Sequence, residues 1–415
     1  MKNHNALLAV LYFPIFGPII VSPYNVRFYL LIYVSLIILL LLPKGDTDRY
    51  FLHKVALLFT FSILFMLLVT VLEVIHGTQF LLIIRQSLTY VIVIGIILFL
   101  SKYKKEALIK ILERTFYFVG IMFILQFILS AYESMNNIFL VNDYNWALSG
   151  LYVTSLDNRF ILKIFDIDTG FLRVFTHPFS GLLGQHNYWA VQLPFYNLIF
   201  LIMYHKTKMK YYLFLIILVF IAILLNTTRA GILIILMTDI FYVLYLNKRK
   251  IFTYYAVSFL TILLLVYVIP QLAVNFFQYF QQTDTLTGRI ESYSIFYWNI
   301  FTGDFPILFG YGSNQVIQIM NNLMEYNFES AFFTILYVNG LIGLALFMIF
   351  LVKIVTQGRK FSFINKYFSY LIVFNIVGIS LTIQGVLGFY AFQFVALVYI
   401  YNVISDPTYN EAEAV

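Results

Sequence analysis

Long apolar runs recur along most of this chain and constrain its fold more than any other feature. About 20 apolar residues cross the hydrocarbon core of a bilayer as a helix. The composition agrees, with 62% hydrophobic and only 11% charged residues. We therefore predict an all-α polytopic membrane protein that forms a single integral domain over 1–415. Twelve transmembrane helices are predicted at about 6–21, 28–42, 55–75, 80–100, 111–131, 188–204, 211–226, 230–246, 251–269, 331–352, 367–383 and 387–404.

The basic residues predict how these helices are oriented. Cytoplasmic connections of membrane proteins carry an excess of Lys and Arg, and 19 of the 26 Lys and Arg lie in alternate connections or beside them. Both termini are therefore predicted to be cytoplasmic, and the short acidic tail 405–415 is expected to be disordered. The predicted inner connections are 43–54, 101–110, 205–210, 247–250 and 353–366.

Two predicted outer connections are much longer than the others. The first covers 132–187 and the second covers 270–330. Loops longer than about 12–15 residues without structure of their own are uncommon and are often functional. Both loops contain a tryptophan and many other aromatic residues. We therefore expect them to fold over the membrane as short helices and to hold the active site on its outer face.

The remaining basic residues lie in outer connections or at the outer ends of helices, and six of these seven are arginine. A guanidinium group grips a phosphate with two parallel hydrogen bonds, so this bias favours an anionic ligand on the outer face. Surface salt bridges with acidic residues of the same loops are the alternative interpretation. The seven are Arg27, Arg85, Arg159, Lys163, Arg173, Arg229 and Arg289.

Charged residues within the apolar runs have structural interpretations. Arg85 lies five residues into its run, and Glu73, near the outer end of the preceding run, is its expected ion-pair partner. Asp239 lies inside the run 230–246, where an ionisable side chain is a functional candidate by default. Because it lies in the predicted cytoplasmic half, far from the outer loops, we expect it to bond to a neighbouring helix instead.

Asp166 and Asp168 form an Asp-x-Asp pair in the first outer loop. Such pairs hold divalent metals in some sugar transferases. The further ligands of a calcium loop do not follow at the required spacing. Since aspartates are common in loops, we expect no metal here.

Three residues are candidates for a general base. Glu329 stands where the second outer loop returns to the membrane, and a carboxylate that is partly removed from water can act as a base. A helix cap or a salt bridge with Arg289 is the alternative for this residue. His186, directly before a predicted helix, and His177, before a proline, are the other candidates.

Several kinds of chemistry are excluded by the sequence. There is no cysteine, which excludes disulfides, zinc-thiolate sites and thiol nucleophiles. No phosphate-binding loop, dinucleotide fingerprint or HExxH motif is present, so we expect no cofactor and no nucleic-acid partner. An activated substrate on the outer face would have to carry its own energy, as a lipid-linked diphosphate sugar does.

Four motifs within 170–350 resemble those of bacterial surface-polysaccharide polymerases. Arg173 and Gly184 match an Arg-x10-Gly pattern, and TTRAG around Arg229 resembles a Ser/Thr-Arg-Gly/Ala step that opens a helix. TGRIESYSIFYWNIFTGDFPILFGYG in the second loop resembles Gly-Arg…Trp…Pro…Phe-Gly-x-Gly. NGLIGLALF at 339–347 resembles the Gly-Leu/Ile-Gly helix that follows. In this order, the motifs resemble the Wzy-type O-antigen and capsule polymerases, which are cousins of the O-antigen ligases.

This resemblance implies an all-helical glycosyltransferase of the GT-C type in the bacterial cytoplasmic membrane. Two undecaprenyl-diphosphate-linked sugars would react on the outer leaflet. The hydroxyl of a new repeat unit would attack the anomeric carbon of the growing glycan, with inversion and release of undecaprenyl diphosphate. The implied partners are these lipid-linked repeat units, membrane lipid, a flippase and a chain-length regulator.

The residues can be assigned to this reaction. Arg173, Arg229 and Arg289 are predicted to bind the diphosphates and to stabilise the leaving group. A sugar hydroxyl is a poor nucleophile and would be activated by Glu329 or His186, with His177 as a further candidate. The glycines expected to shape the outer loops are Gly184, Gly310 and Gly312.

The resemblance is incomplete in the second outer loop. The position eleven residues after Arg289 is Ile300, where the pattern would have glycine. Ligases place a His-Asn pair near the end of this loop, whereas 270–330 contains no histidine. This absence favours a polymerase over a ligase that transfers glycan to lipid A core, and the ligase is kept as an alternative. A flippase or exporter of the same lipid-linked sugar is another, although the sequence shows none of the internal repeats typical of transporters.

Overall fold

A computed structural model describes residues 48–77, 80–136, 186–226, 229–246, 306–312, 330–382 and 391–409. All regular elements in this part of the chain are helical, as the apolar runs predict. The chain divides into two compact units, and the first of the two points at which it passes from one to the other falls within a helix. The first unit comprises 1–118 and 288–415, and the second comprises 119–287.

Ten α-helices follow one another in the described ranges, and nine of them coincide with predicted runs. The other predicted runs, 6–21, 28–42 and 251–269, lie outside the described residues. The helices are α1 (Arg49–Lys54), α2 (Ala56–Ile75), α3 (Phe80–Leu100), α4 (Lys105–Asn136), α5 (His186–Thr207), α6 (Lys210–Asn226), α7 (Arg229–Leu246), α8 (Ala331–Gly358), α9 (Phe363–Thr382) and α10 (Phe392–Ile404), followed by a 3-10 turn at Pro407–Tyr409.

The length and composition of these helices suit a membrane. In the described residues, four are long and apolar enough to cross one: Ala56–Ile75, Lys105–Tyr132, Ala331–Gly358 and Phe363–Leu381. Leu64, Leu67 and Val71 lie on one side of α2 and are about half exposed. Such an apolar stripe suits contact with lipid. The chain is therefore a helical membrane protein, and the count of twelve spans stays a prediction.

In the first unit, α2, α8 and α10 meet through aromatic rings. Phe61 of α2 stacks on Phe350 of α8 with ring centroids 4.2 Å apart. Phe392 is the first residue of α10. The centroid of its ring lies 5.8 Å from that of Phe61 and 6.3 Å from that of Phe350. Every residue of α10 is buried, which identifies it as the central helix of the described part of this unit.

Several predicted inner connections are wrong in their bounds, because polar residues continue the helices beyond the apolar runs. The predicted connection 43–54 contains α1, whose first turn is capped by Asp48. This carboxylate accepts hydrogen bonds from the backbone nitrogens of Tyr50 and Phe51 at 2.9 and 3.0 Å. Helix α4 begins within 101–110, while α8 and α9 occupy most of 353–366.

The predicted disorder of the tail is wrong for 405–409. Asp406 is buried, and its Oδ2 accepts hydrogen bonds from the backbone nitrogen and the hydroxyl of Ser362 at 2.9 and 2.8 Å. Its Oδ1 accepts a further bond from the backbone nitrogen of Thr408 at 2.9 Å. This one carboxylate ties the start of the tail to the connection between α8 and α9. Residues 410–415 lie outside the described part of the chain.

Helix α8 is interrupted at Gly340, whose φ of 65° and ψ of −167° are not helical. In a continuous helix the backbone nitrogen of Leu341 would donate to the carbonyl of Tyr337. Instead it donates to the carbonyl of Ile307 at 2.8 Å, and the Tyr337 carbonyl accepts from the backbone nitrogen of Tyr311 at 2.9 Å. The backbone nitrogen of Ile342 also donates to the carbonyl of Leu308 at 3.3 Å, so the segment 306–312 makes three backbone hydrogen bonds with α8 at the interruption.

Two glycines permit this close approach of backbone to backbone. A Cβ at Gly340 would collide with the carbonyl of Leu308. A Cβ at Gly310, whose φ is 69°, would lie 2.6 Å from the carbonyl oxygen of Val338. We refer to the segment 306–312 and the interrupted part of α8, 337–342, as the interlock.

We expect Gly340→Ala to lower the melting temperature of the detergent-purified protein much more than Gly77→Ala. Both glycines have a φ of 65°, which costs an L-residue about 1–2 kcal/mol, and the ψ of −167° at Gly340 adds to this cost because that region is essentially confined to glycine. A Cβ at Gly77 has no atom within 4 Å, so it adds no clash. A Cβ at Gly340 adds an overpacking cost of about 1–3 kcal/mol. Heating followed by size-exclusion chromatography measures both variants, and equal losses would contradict the packing described for the interlock.

Candidate functional site

The second unit is built around α5, which packs against α6 and α7. All residues of α5 from Trp189 to Met203 are buried. A helix that is buried on every side usually carries apolar residues all round. Gln192 and Asn197 depart from this rule, because both lie within the buried stretch with no exposed surface. Such polar residues need hydrogen-bond partners or a function.

Four side chains form a polar cluster between α4 and α5. The amide oxygen of Gln126, on α4, accepts hydrogen bonds from the indole nitrogen of Trp189 at 3.2 Å and from the hydroxyl of Tyr196 at 3.1 Å. The Tyr196 hydroxyl also lies 3.4 Å from the amide oxygen of Gln192. The indole nitrogen can only donate, so the oxygen of Gln126 must face Trp189 and its amino group must point elsewhere.

The donors of this cluster are incompletely used. Within the described ranges, Nε2 of Gln126 and Nε2 of Gln192 have no hydrogen-bond partner, and neither does the hydroxyl of Ser130. All three side chains are fully buried. A buried polar group without a partner costs about 1–3 kcal/mol. The cluster therefore presents donors that are able to bind an oxygen from outside the described residues.

A second polar contact joins α5 to α7. Nδ2 of Asn197 donates to Oδ1 of Asp239 at 2.7 Å, and both side chains are fully buried. The prediction that Asp239 bonds to a neighbouring helix is therefore confirmed. A buried hydrogen bond between two helices is costly to break, so this contact helps to hold α5 and α7 in register.

The starts of α5 and α7 lie close together. A Cβ at Gly231, in the first turn of α7, would lie 3.9 Å from the carbonyl oxygen of Ala190 and 2.5 Å from the side chain of Ile223. Small residues allow such close approach of membrane helices. His186 and Arg229, the first residues of these two helices, thus begin at the same end of the bundle. The side chains of both lie outside the described set.

The interlock also contacts the end of α2. Gly312 has a φ of 70°, and a Cβ there would lie 2.7 Å from the imidazole ring of His76, directly after α2. Glu73, three residues earlier, is buried. Its predicted partner Arg85 is on α3, but the side chain of Arg85 is outside the described set, so the ion pair stays a prediction.

The other predicted site residues lie outside the described residues, and their roles stay predictions. Among the residues that are described, no group of three or more His, Asp or Glu could hold a metal ion. The predicted residues outside the described ranges are Arg173, His177, Gly184, Arg289 and Glu329, together with Asp166 and Asp168.

Comparison with known proteins assigns no family, since no protein-family model, curated protein or solved structure matches this chain. The candidate site therefore has to be judged on its own chemistry. We refer to Gln126, Trp189, Gln192 and Tyr196 as the Gln126 cluster. The sequence did not predict it, because its members lie inside strongly apolar runs. Polar residues within such runs were the signal that could have found it, since they are costly in lipid and are often functional.

We expect Asn197→Leu and Asp239→Leu to be coupled in a double-mutant cycle. Each single variant removes one partner of a buried hydrogen bond, whereas the double variant removes both. Interaction energies of contacting pairs are about 0.5–3 kcal/mol, and those in membrane proteins tend to the lower part of this range. Unfolding in a denaturing detergent measures the cycle. Strictly additive losses would show that the contact contributes nothing, and Asp239→Asn, which keeps an acceptor oxygen, is the conservative control.

Proposed function

We propose that this protein polymerises undecaprenyl-diphosphate-linked oligosaccharide repeat units into O-antigen or capsular polysaccharide. It acts as an inverting glycosyltransferase on the outer face of the bacterial cytoplasmic membrane. The growing glycan passes from its lipid carrier to the hydroxyl of a new repeat unit, and undecaprenyl diphosphate leaves. In this proposal the chain has twelve spans, a GT-C architecture and both termini in the cytoplasm.

The contact between two resembling motifs supports the proposal most. Phe-Gly-Tyr-Gly at 309–312 ends the second-loop motif, and Asn-Gly-Leu-Ile-Gly at 339–343 opens the next one. They are separated by 26 residues, yet they meet in the interlock. Gly310 packs against the backbone of Val338, and Gly340 packs against the backbone of Leu308. The glycines that carry the resemblance are thus required by one shared geometry. A chance match of two short motifs gives no reason for such a contact.

In the proposed reaction, charged residues of the outer loops bind the diphosphates and activate the attacking hydroxyl. Arg173, Arg229 and Arg289 grip the two diphosphates and stabilise the charge that develops on the leaving group. Glu329 or His186 removes the proton from the attacking hydroxyl. The start of α5 next to the start of α7 favours a role for His186 close to Arg229, because both residues open helices at the same end of the second unit.

A transporter of the same lipid-linked sugar is the second candidate, and the interrupted helix α8 favours it. Discontinuous helices often form the substrate sites of transporters, where their free backbone groups bind ions or anionic groups. In α8, however, the segment 306–312 takes up the backbone groups of Leu341, Ile342 and Tyr337. These backbone groups are therefore paired within the protein and are not free to bind a substrate, as they would be in a transporter. A polymerase is thus the better proposal.

We expect Arg173→Ala to abolish long surface glycans in cells that lack the native copy. Single capped repeat units should remain, and the protein should insert at its normal level, because the change removes a predicted phosphate-binding fork outside the predicted membrane spans. Gel analysis of the surface glycan measures the outcome. Lys163→Ala, which removes a cation from the same loop, is the matched control. Normal ladders from Arg173→Ala would remove this arginine from the site, and loss of single repeats would indicate ligation or export.

Purified protein with lipid-linked repeat units separates the two candidate functions. A polymerase should produce a ladder of products and release undecaprenyl diphosphate, because each bond formed frees one carrier. A transporter should move the lipid across a liposome membrane and leave the number of glycosidic bonds unchanged. Movement without any ladder would overturn the proposal.

A further inference from the structure

The Gln126 cluster has a composition that a purely structural contact does not need. Gln126 and Gln192 each use only the amide oxygen toward the protein. Their amino groups find no acceptor in the described residues. If the cluster only joined α4 to α5, apolar residues would serve as well and would avoid this cost. The two free amino groups are therefore the feature to be explained.

The amino group of Gln126 is oriented from inside the protein, because Trp189 and Tyr196 both donate to the amide oxygen of this residue. The amide oxygen of Gln192 faces the same Tyr196 hydroxyl at 3.4 Å. Both amino groups thus point away from Tyr196. Ser130, four residues after Gln126 and on the same side of α4, adds a hydroxyl that is also without a described partner.

The chemistry of the site selects its ligand. Amide N–H groups donate hydrogen bonds and carry no net charge, so they bind oxygen atoms without the cost of burying a cation. In a site that excludes water such bonds are stronger than on the surface. Phe123 and Trp189, with ring centroids 6.1 Å apart, make the surroundings of the cluster apolar. The matching ligand is an oxygen-rich group that enters from the membrane or its outer edge.

We infer that Gln126, Gln192 and Ser130 form a binding site for oxygen atoms in the polar head of the lipid-linked substrate. The inference rests on the proposed function, because the predicted topology places these residues in the outer halves of their helices. Gln192 lies six residues after His186 on α5, just inside the end where the first outer loop meets the membrane. Sugar hydroxyls and diphosphate oxygens share the required chemistry.

Gln192→Met is the decisive variant. It keeps the length of the side chain and removes the unused amino group, while Tyr196 retains its shorter hydrogen bond to Gln126. We expect binding of the substrate head to weaken about tenfold, the effect of one hydrogen bond. The melting temperature should stay the same or rise, because a buried donor without a protein partner has been removed. Ser130→Ala should behave in the same way.

Gln357→Met is the matched control in the first unit. Gln357 donates to the carbonyl of Lys54 at 3.0 Å and accepts from the hydroxyl of Tyr399, so both ends of its amide have protein partners. The control should lower the melting temperature and leave ligand binding unchanged. The opposite responses of the two glutamines distinguish a ligand-binding amide from a structural one.

Two probes separate the sources of the oxygen atoms. One is undecaprenyl diphosphate without a sugar, and the other is the oligosaccharide released from the host's own surface glycan. Their affinities for the detergent-purified protein can be measured by microscale thermophoresis. Weaker binding of the first probe by Gln192→Met would assign the site to phosphate oxygens. Weaker binding of the second would assign it to sugar hydroxyls.

The negative outcomes are also distinct. If the wild type binds a probe and the Gln192 and Ser130 variants bind it equally well, the inference is wrong and the proposed function stands. A fall in melting temperature with unchanged binding would show that the amide has a structural partner, which also overturns the inference. If the wild type binds neither probe, both the inference and the proposed function fail.

Discussion

The need to pair every backbone polar group away from water governs this structure. In a bilayer an unpaired N–H or C=O costs several kcal/mol, so a helix can be interrupted only where other groups replace its bonds. The interlock meets this requirement at Gly340. Ile307 accepts the bond that Leu341 would give to its own helix, and Tyr311 donates to the carbonyl left behind. The interruption thus depends on the segment 306–312, and that segment is fixed to the helix by the same bonds.

The side-chain amides of Gln126 and Gln192, in the second unit, differ from these backbone groups in how they are paired. Backbone groups at the interlock are paired within the protein, whereas the amino groups of Gln126 and Gln192 are buried without a described partner. The two situations have different consequences. A satisfied interruption gives shape and rigidity to the membrane-embedded backbone. Unsatisfied donors, held in place by Trp189 and Tyr196, retain a capacity to bind that a fully paired network would lack.

The sequence predicted the helices well because apolar runs of sufficient length have few other folds in a membrane. It predicted their ends less well, since polar residues such as Lys105 continue a helix without adding to its hydropathy. The interruption at Gly340 could not be predicted, because it depends on a contact with Leu308 from a distant part of the sequence. Glycine within an apolar run has several common roles, and only the tertiary contact distinguishes them. The Gln126 cluster could have been found, but its pairing could not.

The division between charged outer loops and neutral buried donors has a physical basis. A guanidinium binds a diphosphate strongly, but an arginine at the centre of a membrane helix costs about 2.5–3.5 kcal/mol on insertion scales. An amide such as that of Gln192 binds each oxygen less strongly and costs less to bury. In a polymerase of lipid-linked sugars, cations would therefore act where the head group meets water, and amides where it enters the protein. In the proposed polymerase the depth of each donor would determine its kind. The outer arginines would supply charge for the leaving diphosphate, and the buried amides would orient oxygen atoms of the head group.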